Sequence, residues 1–135
     1  FLDKANKITY TNAVGYYYRQ HDNSIMHIFN SKRMDALVWA LEIENFCKTK
    51  YPAILVAAKC RTFNVAVHLI LDLPESGEEH ERYYEDIWKE VKRTRIQTVL
   101  SKKARYREKA AALLSFGGEK ILKRVWNSKF AVKRK

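Results

Sequence analysis

The chain has 135 residues, of which 47% are hydrophobic, 4 are Gly and 2 are Pro, and its formal net charge is +11. This composition excludes an intrinsically disordered or collagen-like chain, and the length is sufficient for one domain with a buried core. No apolar run reaches the roughly 18 residues that a membrane-spanning helix needs. The first seven residues lack the apolar stretch of a signal peptide. The chain also has no initiator Met, so we expect that it begins partway through a longer polypeptide or has been processed or trimmed.

The positive charge is concentrated in the last third of the chain. Residues 89–135 contain 16 Lys and Arg against 3 Asp and Glu, whereas residues 1–88 contain 10 against 12. Such an asymmetry is typical of a protein that meets an anionic partner. The two candidate partners are an anionic membrane surface and nucleic acid.

The two cysteines, Cys47 and Cys60, each lie in a segment that we predict to be helical. They lack the close spacing of a redox or metal motif, and no histidine pair lies near them. We therefore predict two buried free thiols, which fits a protein of the reducing cytoplasm.

Residues 8–19 are rich in β-branched and aromatic side chains, which favours one kinked strand or two short ones. A lone β segment of this length is not stable in water without further strands. The remaining sequence offers no sheet for it to join. We therefore expect a larger β-containing body outside this chain.

After residue 30 the apolar residues recur at helical spacing, and turn-forming residues separate the segments. Asn30 or Ser31 suits the cap of the first helix, and Pro52 suits the first turn of the second. The predicted helices cover residues 31–50, 52–71, 80–100, 102–114 and 119–126. The predicted fold class is mainly α, a helical bundle of about four to five helices with a short β segment near the N-terminus.

Residues 16–27 read Tyr-Tyr-Tyr-Arg-Gln-His-Asp-Asn-Ser-Ile-Met-His. This segment resembles the end of the GT-A catalytic domain in bacterial family 2 glycosyltransferases of the capsule and exopolysaccharide type. The resemblance continues in four later segments: Lys32-Arg33-Met34-Asp35, Ala57-Ala58-Lys59-Cys60-Arg61-Thr62-Phe63, Lys102-Lys103-Ala104-Arg105 and Ala112-Leu113-Leu114-Ser115. It implies that residues 1–30 are the C-terminal edge of a truncated catalytic domain and that residues 31–135 are a helical C-terminal extension.

The resemblance also implies the chemistry of a parent enzyme. That enzyme would transfer a sugar from a nucleotide-sugar donor to a growing surface polysaccharide, with a saccharide or a lipid-linked acceptor. It would hold a divalent metal, Mn or Mg, at an Asp-x-Asp motif and would use a carboxylate as its base, both upstream of the matched segment. Neither motif occurs here, so we expect this chain alone to hold no catalytic residue, no metal site and no transferase activity.

Three residues of the matched segment are candidates for substrate contact. The resemblance places Arg19 beside the diphosphate of the donor, where a guanidinium can pair two phosphate oxygens. Ser24 and His27 would then contact the donor or acceptor sugar. The alternative is that Arg19 is a solvated strand end and that Ser24 and His27 only cap or pack the following helix.

The segment from residue 102 to residue 126 mixes many basic residues with aliphatic and aromatic ones, which predicts amphipathic helices. Such helices can lie on an anionic membrane, and the protein would then be cytoplasmic and peripheral at the inner face of the cell membrane. The predicted docking residues are Lys102, Lys103, Arg105, Arg107, Lys120, Lys123, Arg124 and Trp126. The alternative is that the apolar side chains complete the bundle and the charges are merely solvated.

Two other functions fit the composition. The sequence pI near 9.7 is compatible with a basic helical module that binds nucleic acid, but the chain shows no helix-turn-helix signature and no aromatic β platform. The sequence therefore does not favour nucleic acid as the partner. A helical protein-interaction module without a small ligand is the remaining alternative.

Overall fold

A computed structural model describes residues 4–16 and 29–129. Within these ranges the chain forms five α-helices: α1 (Asp35–Lys50), α2 (Leu55–Asp72), α3 (Glu78–Leu100), α4 (Tyr106–Leu114) and α5 (Glu119–Lys129). Short 3-10 turns lie at Ser31–Met34, Pro52–Ile54 and Ser115–Gly117. The prediction of a mainly α fold with about five helices is confirmed.

The N-terminal segment differs from the prediction in its secondary structure. Residues 8–16 form no strand in the described part of the chain, and their side chains are exposed, including those of Ile8, Tyr10 and Tyr16. A strand needs the edge of another strand to satisfy its backbone groups, and residues 29–129 are helical or irregular. Residues 17–19 of the predicted strand lie outside the described residues.

Helix α2 is the centre of the bundle and packs against both α1 and α3. Its fully buried side chains include Phe63 and Ile70. Together with the turn before it, α2 is the one helix of the described residues that is long and apolar enough to cross a membrane, but 50% of the tested window is buried inside the bundle. A central core helix has the same length and apolar composition.

The hydrophobic core joins all five helices. Its buried members are Phe29, Leu37, Phe63, Ala66, Val67, Leu69, Ile70, Leu73, Ile87, Val91, Ala111, Ala112 and Leu122. Phe29 is among them and its ring lies 5.8 Å from that of Tyr83. The packed bundle therefore already includes residue 29, just before the predicted domain boundary at residue 30.

Three buried threonines lie on the central helices α2 and α3. Thr62, Thr94 and Thr98 are all fully buried, and each hydroxyl donates a hydrogen bond to the carbonyl oxygen one turn earlier. For Thr94 and Thr98 these bonds satisfy the hydroxyl group within the same helix, whereas the Thr62 hydroxyl also lies 3.0 Å from the carboxylate of Glu44 on α1. Burial of these hydroxyl groups therefore costs little free energy of folding.

The connection from α3 to α4 differs from the prediction. Helix α4 begins at Tyr106 rather than at Lys102, because α3 ends at Leu100 and residues 102–104 form a turn. The carboxylate of Glu108 accepts a hydrogen bond of 3.0 Å from the backbone N–H of Arg105, which caps the new helix. The turn thus holds four basic residues, Lys102, Lys103, Arg105 and Arg107, at or beside the start of α4.

Helices α4 and α5 are joined by two glycines. Gly118 has a φ of 94°, a backbone conformation that residues other than glycine rarely adopt. A Cβ on Gly117 would lie 2.8 Å from the terminal side-chain carbon of Ile121, so a larger residue there would require that side chain to move. The glycine pair predicted to interrupt the helix therefore sets the reversal that returns α5 to the bundle.

Candidate anion-binding groove

A cavity of about 250 Å³ lies between the middle of α2 and the turn that joins α3 to α4. Its walls are Ala57, Cys60, Arg61, Asn64, Ser101, Lys103, Ala104, Arg105 and Glu108. Helix α2 supplies the first four of these residues from one side of the helix. The turn and the first residues of α4 supply the others.

The side chains around this cavity carry more positive than negative charge. Arg61, Lys103 and Arg105 are exposed, and none of their side chains forms an ion pair within the described residues. The one carboxylate, that of Glu108, accepts a hydrogen bond of 2.8 Å from the side-chain amide of Asn64. The cations are therefore left to face the cavity and solvent.

This arrangement is suited to an anion that carries several acceptor oxygens. Each guanidinium can donate two parallel hydrogen bonds to a phosphate or carboxylate group. A lysine beside two arginines adds a further charge that can move to meet the ligand. The cavity therefore offers the positive charge and the hydrogen-bond donors that a phosphate ester or an acidic sugar needs.

Two further cavities extend the groove along the same helix. One of about 180 Å³ is lined by Asn64, His68, Arg107 and Trp126 among others, and one of about 590 Å³ by Arg33, Arg61 and Asp72 among others. Arg33 and Asp72 neutralise each other through an ion pair of 2.6 Å. The uncompensated positive charge is thus greatest at the end where Arg61 faces Lys103 and Arg105.

Sequence reasoning missed most of this groove. Arg61, Asn64 and His68 lie three and four residues apart, so they share one side of α2, but that pattern also describes a solvated helix surface. The signal that could have indicated the groove is the pair of family-like segments, 57–63 and 102–105. Both contain cations that line it.

The predicted substrate contacts Arg19, Ser24 and His27 lie outside the described residues. Their predicted roles remain predictions. Among residues 4–16 and 29–129, no group of three His, Cys, Asp or Glu side chains is arranged to hold a metal ion. The two cysteines are buried free thiols, as predicted.

The predicted membrane-docking residues divide into two groups. Six of them are exposed: Lys102, Lys103, Arg105, Arg107, Lys120 and Arg124. Trp126 is partly buried and packs against the core. Lys123 is only 6% exposed, so its assignment to a docking surface does not fit the structure.

The position of Lys123 has a local cause. Its ammonium donates a hydrogen bond of 2.8 Å to the carbonyl oxygen of Leu73, the residue that ends α2, and lies 2.6 Å from the carboxylate of Glu119. The buried charge is therefore paired. This lysine fastens α5 to the end of α2 instead of facing solvent.

Comparisons of this chain with protein-family models, with curated proteins and with solved structures find no match.

Proposed function

We propose that this chain is the C-terminal helical extension of a bacterial family 2 glycosyltransferase, and that the Arg61 groove contacts a phosphate group of a substrate. The parent enzyme would transfer a sugar from a nucleotide-sugar donor to a growing surface polysaccharide. This chain would not catalyse the transfer by itself. The divalent metal, Mn or Mg, would be held in the catalytic domain of the parent.

One observation carries this proposal. The family-like segments 57–63 and 102–105 are far apart in the sequence, yet both line the cavity of about 250 Å³. The first contributes Arg61 and the second contributes Lys103 and Arg105. Two segments selected for their likeness to one family thus converge on one basic cavity, which is the kind of site that a phosphate-bearing substrate requires.

Exposed apolar side chains near the N-terminus give further support. Trp39, Ile43 and Phe46 are exposed and lie at four- and three-residue spacing on α1. The side chains of residues 8–16 are exposed as well. Contact with a catalytic domain would bury both sets of side chains.

In the parent enzyme, residues 16–27 would contact the nucleotide-sugar donor. Arg19 would pair with the diphosphate, and Ser24 and His27 would contact the donor or acceptor sugar. A lipid-linked acceptor would explain a location at the inner face of the cell membrane.

The test uses the full-length protein encoded by the reading frame that contains this chain. We expect an Asp-x-Asp segment upstream of Phe1 and release of nucleoside diphosphate from a nucleotide sugar in the presence of Mn²⁺. The double variant Arg61→Ala/Arg105→Ala should lower kcat/KM by about tenfold or more, because it removes charge-assisted hydrogen bonds.

The matched control is Lys48→Ala/Arg82→Ala, which removes the same charge from exposed positions that do not line the groove. Its kcat/KM should stay within about twofold of the wild type. A full-length protein that consumes no nucleotide sugar overturns the enzyme proposal. Equal activity in the two double variants overturns the role of the groove.

A further inference from the structure

The hairpin of α3 and α4 carries exposed apolar side chains on both of its helices. On α3, Ile96 and Leu100 are one turn apart and are 56% and 75% exposed. On α4 and the turn after it, Leu113 and Phe116 are also one turn apart and are 60% and 54% exposed. None of these four side chains is part of the hydrophobic core.

The turn after α4, which carries Phe116, packs against α3. The guanidinium of Arg95 lies 4.0 Å from the centre of the Phe116 ring and donates a hydrogen bond of 3.1 Å to the carbonyl oxygen of Ser115. Arg95 directly precedes Ile96 in the chain. The contact therefore places Phe116 beside the turn of α3 that carries Ile96.

Lysines continue both rows of apolar side chains at helical spacing. The α3 row reads Lys89, Lys92, Ile96 and Leu100, and the second row reads Lys109, Leu113 and Phe116, while Lys103 lies in the turn that follows α3 and Lys120 lies in α5. We call these nine residues the hairpin face. Between residues 89 and 118 the sequence contains two carboxylates, Glu90 and Glu108, and both are engaged, by Arg93 and by Asn64.

We propose that the hairpin face docks the protein on an anionic phospholipid bilayer. The four apolar side chains enter the boundary between headgroups and acyl chains, and the lysines bind the lipid phosphates. The lysines can extend their aliphatic stems along the apolar rows while the ammonium groups reach the headgroups. Each lysine near such a surface contributes about 1 kcal/mol of attraction, so five lysines suffice for reversible binding.

Charge and chemistry favour a bilayer over other occupants. A second copy of the chain would place like charges against each other, which disfavours a symmetric dimer through this face. Nucleic acid would attract the lysines, but its sugar-phosphate backbone offers little to Ile96, Leu100 and Leu113. A bilayer of anionic lipid matches both the lysines and the aliphatic side chains. This proposal does not depend on the glycosyltransferase proposal.

The test is sedimentation of the full 135-residue chain with vesicles. We expect binding to vesicles of phosphatidylglycerol and phosphatidylcholine at low salt, weaker binding at high salt, and little binding to phosphatidylcholine alone. The variant Leu100→Ser/Leu113→Ser should lower the partition coefficient by about tenfold or more. The variant Lys92→Gln/Lys109→Gln should lower it as well and reduce its dependence on salt.

The control is Trp39→Ser/Ile43→Ser, which removes exposed apolar side chains from α1 and should leave the partition coefficient within about twofold of the wild type. Circular dichroism checks that each variant is folded. If the serine variant is unfolded, the partition coefficient of the lysine variant tests the proposal. Absence of binding at low salt overturns the proposal. So does binding that both hairpin variants retain, or a preference for duplex DNA that the serine variant leaves unchanged.

Discussion

The guanidinium of Arg93 on α3 forms a two-pronged ion pair with the carboxylate of Glu44 on α1, with both N–O distances at 2.7 Å. Its third nitrogen donates a hydrogen bond of 2.7 Å to Glu90, and the hydroxyl of Thr62 on α2 donates one of 3.0 Å to Glu44. Three helices thus share one polar cluster. The cluster fixes the side-by-side register of α1, α2 and α3, which apolar packing alone leaves less strictly defined.

The cluster predicts how stability depends on pH. The hydrogen bonds from Arg93 hold the pKa of Glu44 below its ordinary value of 4.5, although burial acts in the opposite direction. Because the folded-state pKa is the lower one, the stabilisation is fully present at pH values above the unfolded pKa. It is lost as pH falls through the folded pKa.

We therefore expect the free energy of unfolding of the wild type to decrease more steeply below pH 4.5 than that of Glu44→Gln. Urea titrations at a series of pH values measure both slopes. The control Glu42→Gln removes an exposed carboxylate from the same helix and should behave as the wild type does. Parallel curves for the wild type and Glu44→Gln would contradict the assignment.

Removal of the cation should destabilise the bundle. Arg93→Met leaves the carboxylates of Glu44 and Glu90 without their partner, and both side chains are nearly buried. The expected loss is about 2 kcal/mol in the free energy of unfolding, less than for a fully buried pair because the Arg93 side chain is 36% exposed. Urea unfolding at neutral pH measures this loss.

The double variant Glu44→Gln/Arg93→Met provides the matched comparison for Arg93. We expect it to be less destabilised than the sum of the two single changes, because the second change removes a group that the first has already left without its partner. Strictly additive losses would mean that the two side chains contribute independently.

Lys123 and Lys120 lie on the same helix and permit a second matched comparison. Lys123 is buried and bonded to the carbonyl oxygen of Leu73, whereas Lys120 is exposed. We expect Lys123→Ala to lower the free energy of unfolding by about 1–3 kcal/mol, since it removes the ammonium partner of Glu119 and of that carbonyl group. Lys120→Ala should change it by less than about 0.5 kcal/mol. Equal effects in thermal unfolding would contradict the role of Lys123.

The helices could be predicted because their ends carry local signals. Pro52 opens the second helical segment, and Gly117-Gly118 separates the last two, so the observed boundaries differ by only a few residues there. The start of α4 was missed because Lys102 to Arg105 have good helix propensity. Their turn is set by the extended backbone at Ser101 and by the cap from Glu108, which act against that propensity.

The site could not be predicted in the same way. Lys123 follows Leu122 on a helix whose periodicity places both near the apolar side, and only the carbonyl of Leu73 makes burial of the ammonium favourable. Arg61 and Arg105 line the same cavity only because α2 packs beside the α3–α4 turn. Such contacts between distant segments follow from tertiary packing and leave no periodic pattern in the sequence.

Arg19 permits a test of the family resemblance itself. In the full-length protein, Arg19→Ala should lower turnover and donor affinity, because a diphosphate would lose a two-pronged partner. Steady-state kinetics with the nucleotide sugar measure both quantities. Unchanged kinetics would mean that Arg19 is only a solvated residue at the end of its segment.

Arg61 offers the sharpest test of the groove in this chain alone. A phosphate ester bound there should use the planar guanidinium for two parallel hydrogen bonds, which a lysine cannot supply even though it keeps the charge. We therefore expect inorganic diphosphate to shift the backbone amide resonances around Arg61, Lys103 and Arg105. Its affinity should fall by about tenfold in Arg61→Lys, close to the fall in Arg61→Ala.

The alternative is a diffuse attraction of diphosphate to a basic surface. In that case Arg61→Lys would bind as the wild type does, because the net charge is the same, and Arg61→Ala would bind only slightly less. Lys48→Ala provides the reference for removal of one exposed charge outside the groove. If binding is specific, the Arg61→Lys variant must bind diphosphate with lower affinity than the Lys48→Ala variant does. Only a site that uses hydrogen-bond geometry distinguishes a guanidinium from an ammonium of equal charge.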